Sequence, residues 1–293
     1  MFNEDIDNLI FSPHPDDESL ACGGLIATAS QRGEKTKIVF LTNGDANTNA
    51  AAKVFEKESD DLTSDDYINL GNVRKNEVLA ATKKLGVEEK DVVFLGYPDR
   101  RLARIYKTKK TSLRPTKKTW GVFFGDPEPE SALNHYGASE VFSKESIVGD
   151  ISSLLTYFTP RKIYVPAEFD SHSDHKATFW FVRDAIKHSR YSNEIYIYVV
   201  HGGNDKCWPF PRGKTPNEKM EQIKSNGNIL PAFVPWPPSM RLPVDNALNE
   251  IKLQALYCHD SQFCNNTDRE YYESFIKSEE IFWQIDPIHY PNW

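Results

Sequence analysis

Cysteine is scarce in this sequence. The 293 residues include four cysteines, none of which belongs to a Cys-x-x-Cys pair: Cys22, Cys207, Cys258 and Cys264. This pattern argues against a disulfide framework and against a thiolate metal site, and it indicates a reducing compartment. Cys22 lies among small and apolar neighbours, so we interpret it as a buried core residue and not as a nucleophile.

Three other features are missing. No apolar run is long enough to span a bilayer, and residues 1–5 are acidic, whereas a secretory signal begins with a basic segment. The charge balance is not basic either, since the net charge is -7, which provides no general attraction to nucleic acid or anionic lipid. We therefore expect a cytoplasmic protein without a membrane span and without a nucleic-acid partner.

The sequence also lacks a glycine-rich dinucleotide fingerprint after its first predicted strand. Gly-x-Gly-x-x-Gly places a pyrophosphate on a helix N-terminus, but carboxylates occupy that place here and would repel it. A nucleotide-binding Rossmann domain is therefore rejected. The overall composition, 39% hydrophobic and 26% charged, is that of an ordinary globular protein.

The pattern that is present alternates between strand and helix. Short apolar runs predict strands at residues 9–12, 37–41, 91–95, 163–165 and 195–200. Helical spacing of apolar residues predicts helices at residues 18–31, 74–85, 176–188 and 245–257. This alternation indicates an α/β fold: a Rossmann-like, doubly wound, mostly parallel sheet with helices on both faces. We expect a single domain over residues 1–293.

Three segments break the alternation. Residues 56–66 are acidic and predict a solvated loop, an insertion is expected at about residues 100–140, and a Pro-rich rim is expected at about residues 202–243. Within the insertion, residues 100–118 carry nine Lys or Arg and no acidic residue. Two interpretations of this basic segment stay open. In the first interpretation, the segment borders the functional site and attracts a phosphate or carboxylate of the substrate. In the second, it is a mobile solvated loop.

The first chemical motif follows the first predicted strand. Residues 12–18 place His14, Asp16, Asp17 and Glu18 at the junction between that strand and a helix. Histidine nitrogens and carboxylate oxygens bind zinc, and a catalytic zinc site needs about three protein ligands and one open position. A carboxylate triplet at a helix start more often caps the helix, so a metal site requires a further ligand from elsewhere in the chain.

Residues 170–175 can supply that ligand. They contain Asp170, His172, Asp174 and His175, and they lie between the fourth predicted strand and the helix after it. In an open parallel sheet, ligands bind in the crevice beyond the carboxyl ends of the strands. We therefore expect the two loops to meet at one metal site.

These motifs resemble those of the LmbE/PIG-L family of zinc-dependent de-N-acetylases. Residues 14–18, His-Pro-Asp-Asp-Glu, match the family's first signature, and residues 172–175 resemble its second, with Ser173 where the family usually has proline. Further positions resemble the family in order along the chain: residues 42–45, Arg74 with Glu77, residues 96–99 and residues 261–262. The resemblance implies an LmbE-like fold with loop insertions.

The resemblance also implies a metal site and its chemistry. The family's zinc ligands fall on His14, Asp17 and His175, with one Zn²⁺ per chain, and Asp16 is then the general base. Zinc lowers the pKa of a bound water to about 7, so that a neighbouring carboxylate can take its proton during attack on an amide carbonyl. A His/Asp ligand set also accepts other divalent metals, so the identity of the metal stays open.

Other residues complete the expected site. His172, in its protonated form, is the candidate partner for the oxyanion, and Asp174 is expected to orient one of the two imidazoles. Arg74 and Asp99 resemble the family's substrate contacts. The alternatives for these two residues are a surface helix charge and a turn residue, respectively.

Three residues are expected near the rim of the site, each with an alternative. For Asp170 there are three alternatives: it supports the metal site, it contacts the substrate, or it caps its own loop. His201 is a rim residue or a structural histidine. Trp208 stacks on a sugar face or packs beneath the Pro-rich segment.

The leading hypothesis is a zinc-dependent hydrolase that removes an N-acetyl or other acyl group from an N-acetylglucosamine-type conjugate. The expected partner is a small N-acyl-aminosugar, and an anionic substrate and an oligomeric assembly are open alternatives. An amidase that acts on a thiol conjugate through the same metal site is the second hypothesis. A catalytically inactive sugar-binding protein is the third, and the presence of a base, metal ligands and an oxyanion partner argues against it.

Overall fold

A computed structural model describes residues 4–108, 142–189, 191–202, 208–222, 230–231, 233–291 and 293. These residues contain seven strands: β1 Asn8–Ser12, β2 Thr36–Thr42, β3 Val92–Tyr97, β4 Lys162–Pro166, β5 Glu194–Tyr198, β6 Met240–Pro243 and β7 Glu279–Ile285. They also contain eight α-helices: α1 Asp17–Gln31, α2 Thr48–Phe55, α3 Ser64–Lys84, α4 Leu102–Lys107, α5 Lys144–Phe158, α6 Ser173–Ser189, α7 Asn246–Leu256 and α8 Asn266–Glu273. No helix in this described part of the chain combines the length and hydropathy that a membrane crossing requires.

The strands form one sheet in the order β3-β2-β1-β4-β5-β7-β6. β1 is parallel to both of its neighbours, and Ile10 pairs with Ile38 on one side and with Tyr164 on the other. The five strands from β3 to β5 are parallel, whereas β7 is antiparallel to both β5 and β6. The prediction of an α/β fold with a mostly parallel, doubly wound sheet is confirmed.

The chain adds β2 and β3 on one side of β1, and then β4 and β5 on its other side. This change of direction between β1 and β4 decides on which face of the sheet each helix lies. Because crossover connections are right-handed, α1 and α3 lie on one face of the sheet and α6 lies on the other. On the first face α7 packs against α1 and α3, and on the second face α5 and α4 pack against α6. β1 and β2 are therefore covered on both sides and buried along their whole length. Continuous burial explains why both strands are recognisable in the sequence as short apolar runs.

The prediction of a loop over residues 56–66 is wrong at its C-terminal end, because α3 begins at Ser64. Thr63 caps the helix: its side chain accepts a hydrogen bond from the backbone N–H of Asp66, and the Asp66 side chain accepts one from the backbone N–H of Thr63. Asp65 and Asp66 also complement the positive end of the helix dipole. The acidic character that suggested a solvated loop is thus the signature of a helix start.

The interpretation of the basic segment as a solvated loop is wrong for its first residues. Residues 102–107 form α4, which buries Leu102 and Ile105, so this portion is not a solvated loop. Residues 109–118 lie outside the described residues. The Pro-rich stretch contributes β6 to the sheet, and α2, α5, α8 and β7 are further elements that the sequence patterns did not predict.

Candidate functional site

The loops after β1 and β4 meet where the strand order reverses. β1 ends at Ser12 and α1 begins at Asp17, while β4 ends at Pro166 and α6 begins at Ser173. The crevice at such a switch point is the usual ligand site of a doubly wound sheet. The structure therefore brings the two motif loops together, as their positions after two strands predicted.

Asp17 lies between the two histidines that the sequence suggested as its fellow metal ligands. Its Oδ2 atom is 3.1 Å from Nδ1 of His14 and 3.2 Å from Nε2 of His175. Ligand atoms that share a tetrahedral zinc ion, each bound at about 2.0–2.1 Å, lie about 3.3 Å apart. Both ring nitrogens of the buried His175 lie 3.2 Å from a carboxylate oxygen, Nε2 from Asp17 and Nδ1 from Asp170, but neither contact has good hydrogen-bond geometry. The donor types and the two distances from Asp17 fit a zinc ion.

The electrostatics of this cluster favour a positive charge. Burial opposes a charge on His175, but the neighbouring carboxylates of Asp17 and Asp170 outweigh it and raise the pKa of His175 to about 10. Burial likewise opposes ionisation of Asp17, yet His175 and His14 hold the pKa of Asp17 well below its usual range. A metal cation that replaced the protons on the imidazoles would be attracted by the same carboxylates.

The other nitrogen of His14 faces two further carboxylates. Nε2 of His14 is 3.2 Å from Oδ1 of Asp99 and 3.6 Å from Oδ2 of Asp174. Asp99 is only 3% exposed, and its second oxygen accepts a hydrogen bond from the backbone N–H of Ala46 at 2.8 Å. The substrate contact expected of Asp99 remains a prediction; in the structure its carboxylate lies beside the His14 ring. Asp174 approaches the same ring, but at 3.6 Å it is beyond good hydrogen-bond distance, so its expected role of orienting an imidazole remains a prediction.

His172 is placed as expected, but its expected charge is wrong. Burial, together with His14 and His175, lowers the pKa of His172 to about 2, so the imidazole is neutral. Its Nδ1 atom accepts a hydrogen bond from the backbone N–H of Asp174 at 3.2 Å. The proton of the neutral ring therefore resides on Nε2, and this N–H can donate to an oxyanion without a formal positive charge.

Two side chains contact one carboxylate oxygen of Asp16, the candidate base. Its Oδ2 atom is 3.0 Å from Nη2 of Arg74 and accepts a hydrogen bond from the hydroxyl of Tyr272 at 2.5 Å. Burial raises the pKa of Asp16, and Arg74 opposes this effect, with a net upward direction. A raised pKa suits a carboxylate that must accept a proton and later release it.

Arg74 was expected to contact substrate, but most of its guanidinium is engaged within the protein. Arg74 is 4% exposed, and it donates hydrogen bonds to the carbonyls of Gly44 at 2.7 Å and Pro15 at 2.9 Å. Gly44 has a φ of +65°, and a Cβ atom there would lie 2.0 Å from Nη1 of Arg74. The glycine in residues 42–45 is thus explained by the passage of the arginine that holds Asp16.

Asp170 lies behind the cluster and supports it. Its Oδ2 atom accepts hydrogen bonds from the backbone N–H groups of Val200 and His201 and lies 3.2 Å from Nδ1 of His175. Its other oxygen accepts from the backbone N–H of His172 at 2.9 Å. Because Asp170 is fully buried, a direct substrate contact is not supported. The contacts of Asp170 agree with two of the three roles considered for it, namely a position behind His175 and capping of its loop.

His201 lies beside His175, with ring centroids 4.8 Å apart, and it lines the cavity. The hydroxyl of Tyr271 donates its proton to the Val200 carbonyl at 2.7 Å and lies 3.0 Å from Nδ1 of His201. Nδ1 of His201 must then be the donor to Tyr271, which leaves Nε2 without a proton. Burial, with His175, lowers the pKa of His201 to about 4, so the ring is neutral. The rim interpretation of His201 agrees with this placement.

The prediction of Trp208 as a rim residue is wrong. Trp208 is 3% exposed, and its indole N–H donates to the carbonyl of Val199 at 3.0 Å. The ring belongs to the hydrophobic core and does not line the cavity. Burial in the core agrees with the alternative interpretation, a packing role for Trp208.

The cluster opens into a cavity of about 290 Å³. Its wall includes Arg100, from the basic segment that one interpretation placed beside the site, and residues that the sequence patterns did not assign to the site: Asn47, Asn49, Gln262, Cys264, Asp268, Tyr271 and Tyr272. Gln262 belongs to a pair noted for its family resemblance, whereas Tyr272 had no signal in the sequence. The amide side chains near the opening offer both donors and acceptors for a polar ligand.

The ligand atoms that lie close enough to share a metal ion do not form the predicted set of His14, Asp17 and His175 as one group, so that set remains a prediction. Within the described part of the chain, three overlapping groups have ligand atoms close enough to share a metal ion: His14, His172 and His175; Asp17, His175 and His201; and His14, Asp99 and Asp174. The predicted ligands recur in these groups, and His172 and His201 are further nitrogen donors at the same place. All three groups belong to one crevice.

Residues 9–186 match the family described as PIG-L, GlcNAc-PI de-N-acetylase. The match covers more than half of the chain and includes both motif loops. The chain belongs to the PIG-L family.

One relative is similar to this chain over a shorter range. The 1D-myo-inositol 2-acetamido-2-deoxy-alpha-D-glucopyranoside deacetylase of Corynebacterium urealyticum is 32% identical over 120 residues. These residues are 41% of this chain and 32% of the relative, so the alignment spans about a third of that protein's length.

Solved structures share the fold at low sequence identity. The N,N'-diacetylchitobiose deacetylase of Pyrococcus horikoshii has a TM-score of 0.58 at 18% identity, and the alignment covers 98% of this chain and 86% of that one. GalB, the 4-carboxy-2-hydroxymuconate hydratase of Pseudomonas putida KT2440, has a TM-score of 0.56 at 14% identity and covers 98% and 100%. Because one is a deacetylase and the other a hydratase, the shared fold alone does not decide the reaction.

The PIG-L match ends at residue 186, before several residues of the cavity wall. His201, Gln262, Cys264, Asp268, Tyr271 and Tyr272 all lie beyond it. The cluster of histidines and aspartates is thus built mainly from the family region, whereas much of the outer wall comes from the last third of the chain.

Proposed function

We propose that this protein is a zinc-dependent hydrolase that removes the N-acetyl group from a small N-acetylglucosamine-type conjugate. The observation that carries this proposal is the position of Asp17 Oδ2, 3.1 Å from Nδ1 of His14 and 3.2 Å from Nε2 of His175, with the Asp16 carboxylate lining the same cavity. These three residues would hold the zinc ion. When bound, zinc acidifies a water molecule and polarises the amide carbonyl.

The proton transfers are assigned to Asp16. Its Oδ2 atom is engaged by Arg74 and Tyr272, so its Oδ1 atom is the one that takes a proton from the attacking water. The same oxygen returns that proton to the nitrogen of the leaving amine, which balances the hydrolysis of the C–N bond. The Nε2–H of His172 donates a hydrogen bond to the negative oxygen that develops on the carbonyl carbon.

The cavity supports a small polar substrate. Its volume of about 290 Å³ is near the lower end of the range for small-molecule sites, and its wall carries the amides of Asn47, Asn49 and Gln262. The described relative acts on an acetylated glucosamine conjugate, as its name states. An N-acyl-aminosugar offers hydroxyl groups that such amides can bind.

An anionic substituent on the sugar is favoured by Arg100. This residue lines the cavity, and within the described part of the chain no carboxylate lies within ion-pair distance of its guanidinium. Its backbone is fixed because its N–H donates to Oδ2 of Asp174 at 2.6 Å. A charge-assisted hydrogen bond is worth about 1.5–3 kcal/mol, so Arg100→Gln is expected to lower kcat/KM at least about tenfold for a phosphorylated sugar only. Arg101→Gln is the neighbouring control.

The experiment that tests the proposed function is a measurement of free amine released from a panel of N-acetylated sugars. Zinc-loaded protein is compared with the Asp16→Ala variant, and zinc content is measured for both. We expect amine release by the wild type and none by the variant, with one zinc per chain in each. Release only from cysteinyl amides would favour the amidase alternative. Binding of sugars without any release would favour the inactive sugar-binding protein.

A further inference from the structure

Tyr272 reaches the metal cluster from a distant part of the chain. It lies in α8, 256 residues beyond Asp16, and outside residues 9–186 that match the PIG-L family. The ring is 5% exposed and packs edge-to-face on Phe263, with ring centroids 5.0 Å apart. Its position is therefore fixed by packing in a segment that the family motifs do not cover.

The hydroxyl of Tyr272 shares one oxygen of Asp16 with Arg74. Tyr272 donates to Oδ2 of Asp16 at 2.5 Å, and Nη2 of Arg74 lies 3.0 Å from the same atom. Among the described residues, none donates a hydrogen bond to the other oxygen, Oδ1. The two oxygens of this carboxylate are thus in different environments.

Arg74 alone does not fix this arrangement. Its second terminal nitrogen, Nη1, is engaged with the carbonyl of Gly44 at 2.7 Å, and Nη2 also donates to the carbonyl of Pro15 at 2.9 Å. Its Nε atom makes no hydrogen bond, so Arg74 contacts Asp16 through Nη2 and not in the bidentate way that locks a carboxylate plane. The terminal torsion of an aspartate is broad, so a second donor is needed to hold one oxygen in place.

We propose that Tyr272 is a positioning residue that, together with Arg74, holds Oδ2 of Asp16 so that Oδ1 is presented to the reacting groups. This inference rests on the proposed function, in which Asp16 moves the proton. Tyr272 itself exchanges no proton with the substrate. Its role is to keep the base in one orientation, and small misplacements of a catalytic group cost up to about 100-fold in rate.

The test replaces Tyr272 by phenylalanine, which removes the hydroxyl and keeps the ring. We expect kcat to fall about 10- to 100-fold, with KM within twofold and zinc content unchanged. The matched control is Tyr257→Phe, which removes an equally short tyrosine–carboxylate hydrogen bond, 2.5 Å to Glu273, at an exposed position. The control should keep the wild-type kcat. An unchanged kcat in Tyr272→Phe would overturn the proposal.

Two further measurements separate positioning from a merely structural role. In an Asp16→Asn background, Tyr272→Phe should cause no additional loss of residual rate, and an equal further loss would contradict the proposal. A crystal structure of Tyr272→Phe should show the Asp16 carboxylate in a second orientation, and an unchanged carboxylate would also contradict it. The crystal structure remains decisive even if the wild-type protein deacetylates no sugar, so the two failures are distinguishable.

Discussion

Asp170 and His175 form a buried pair at the back of the cluster, with Oδ2 of Asp170 3.2 Å from Nδ1 of His175. The opposite ring nitrogen, Nε2, is the one that faces Asp17. A carboxylate behind a metal-binding histidine orients its ring and strengthens it as a ligand. The backbone N–H groups of Val200 and His201 hold Asp170 in place, so the end of β5 supports the residues after β4.

The first prediction concerns this pair. Asp170→Asn keeps the size and one acceptor oxygen but removes the charge behind His175, so zinc affinity should fall about 10- to 100-fold. Competition with a chromophoric chelator measures the change. Asp184→Asn is the control, because Asp184 contacts Tyr106 and Lys144 away from the cavity. Equal zinc affinity in Asp170→Asn and wild type would show that Asp170 does not support the metal site.

The second prediction separates backbone strain from displacement of Arg74. Gly44 and Gly33 have similar φ values, +65° and +68°, but only Gly44 has another group, Arg74, where a Cβ atom would lie. An alanine in this conformation costs about 1–2 kcal/mol at either position. Gly44→Ala should in addition lower kcat, because Arg74 must move away from Asp16.

Thermal unfolding and steady-state kinetics of the two alanine variants provide the comparison. We expect a loss of stability for Gly33→Ala from strain alone, a larger loss for Gly44→Ala because the buried Arg74 is also displaced, and a loss of kcat only for Gly44→Ala. If Gly33→Ala loses as much activity, strain in the fold rather than the position of Arg74 is responsible.

The third prediction concerns a buried ion pair that joins α7 to β7. Nζ of Lys252 lies 2.6 Å from Oε1 of Glu280, whose oxygens also accept hydrogen bonds from the backbone N–H groups of Gly24 and Leu25. Lys252→Met leaves the buried carboxylate without its counter-charge, so unfolding by urea should show a loss of about 3–5 kcal/mol. Lys90→Met, at an exposed pair with Glu88, should leave stability unchanged. A Lys252→Met variant of wild-type stability would contradict this account of the pair.

The fourth prediction concerns pH and the start of α3. Lys57, which lies 2.8 Å from Asp66, and Thr63 lower the pKa of Asp66 to about 2 by donating hydrogen bonds to its carboxylate. Because the pKa is lower in the folded than in the unfolded protein, the ionised carboxylate stabilises the fold above about pH 4, and this contribution is lost as pH falls towards 2.

Asp66→Asn should therefore be less stable than wild type at pH 7, and the difference should shrink between pH 4 and pH 2. Urea unfolding at several pH values measures both free energies. Asp65→Asn, which removes an exposed charge from the same helical turn, is the control. A difference between Asp66→Asn and wild type that does not change with pH would contradict the assignment.

The features that could be predicted are those encoded by residues close together in the sequence. His14 to Glu18 and His172 to His175 each follow a strand whose apolar run is continuous, and parallel strands bring their carboxyl ends to one edge. The convergence of the two loops could therefore be predicted from the sequence. The helix start at Ser64 was also encoded locally, by Thr63 and Asp66, but its acidic residues were interpreted as a loop.

The remainder of the site depends on contacts that leave no local pattern. Tyr272 meets Asp16 across 256 residues, and the burial of Trp208 depends on how the Pro-rich segment folds back on β5. The neutral state of His172 could not be predicted either, because it results from burial beside two other histidines. Position along the chain identifies the loops, whereas charge states and distant partners require the packed structure.

The central claim is that His14, Asp17 and His175 hold one zinc ion. Anomalous diffraction at the zinc absorption edge, from crystals of the zinc-loaded protein, tests it most directly. We predict a single strong peak within about 2.0–2.3 Å of a nitrogen of each histidine and an oxygen of the aspartate. A peak bound by His14, Asp99 and Asp174 without Asp17 and His175, or no peak in this crevice, would contradict the account.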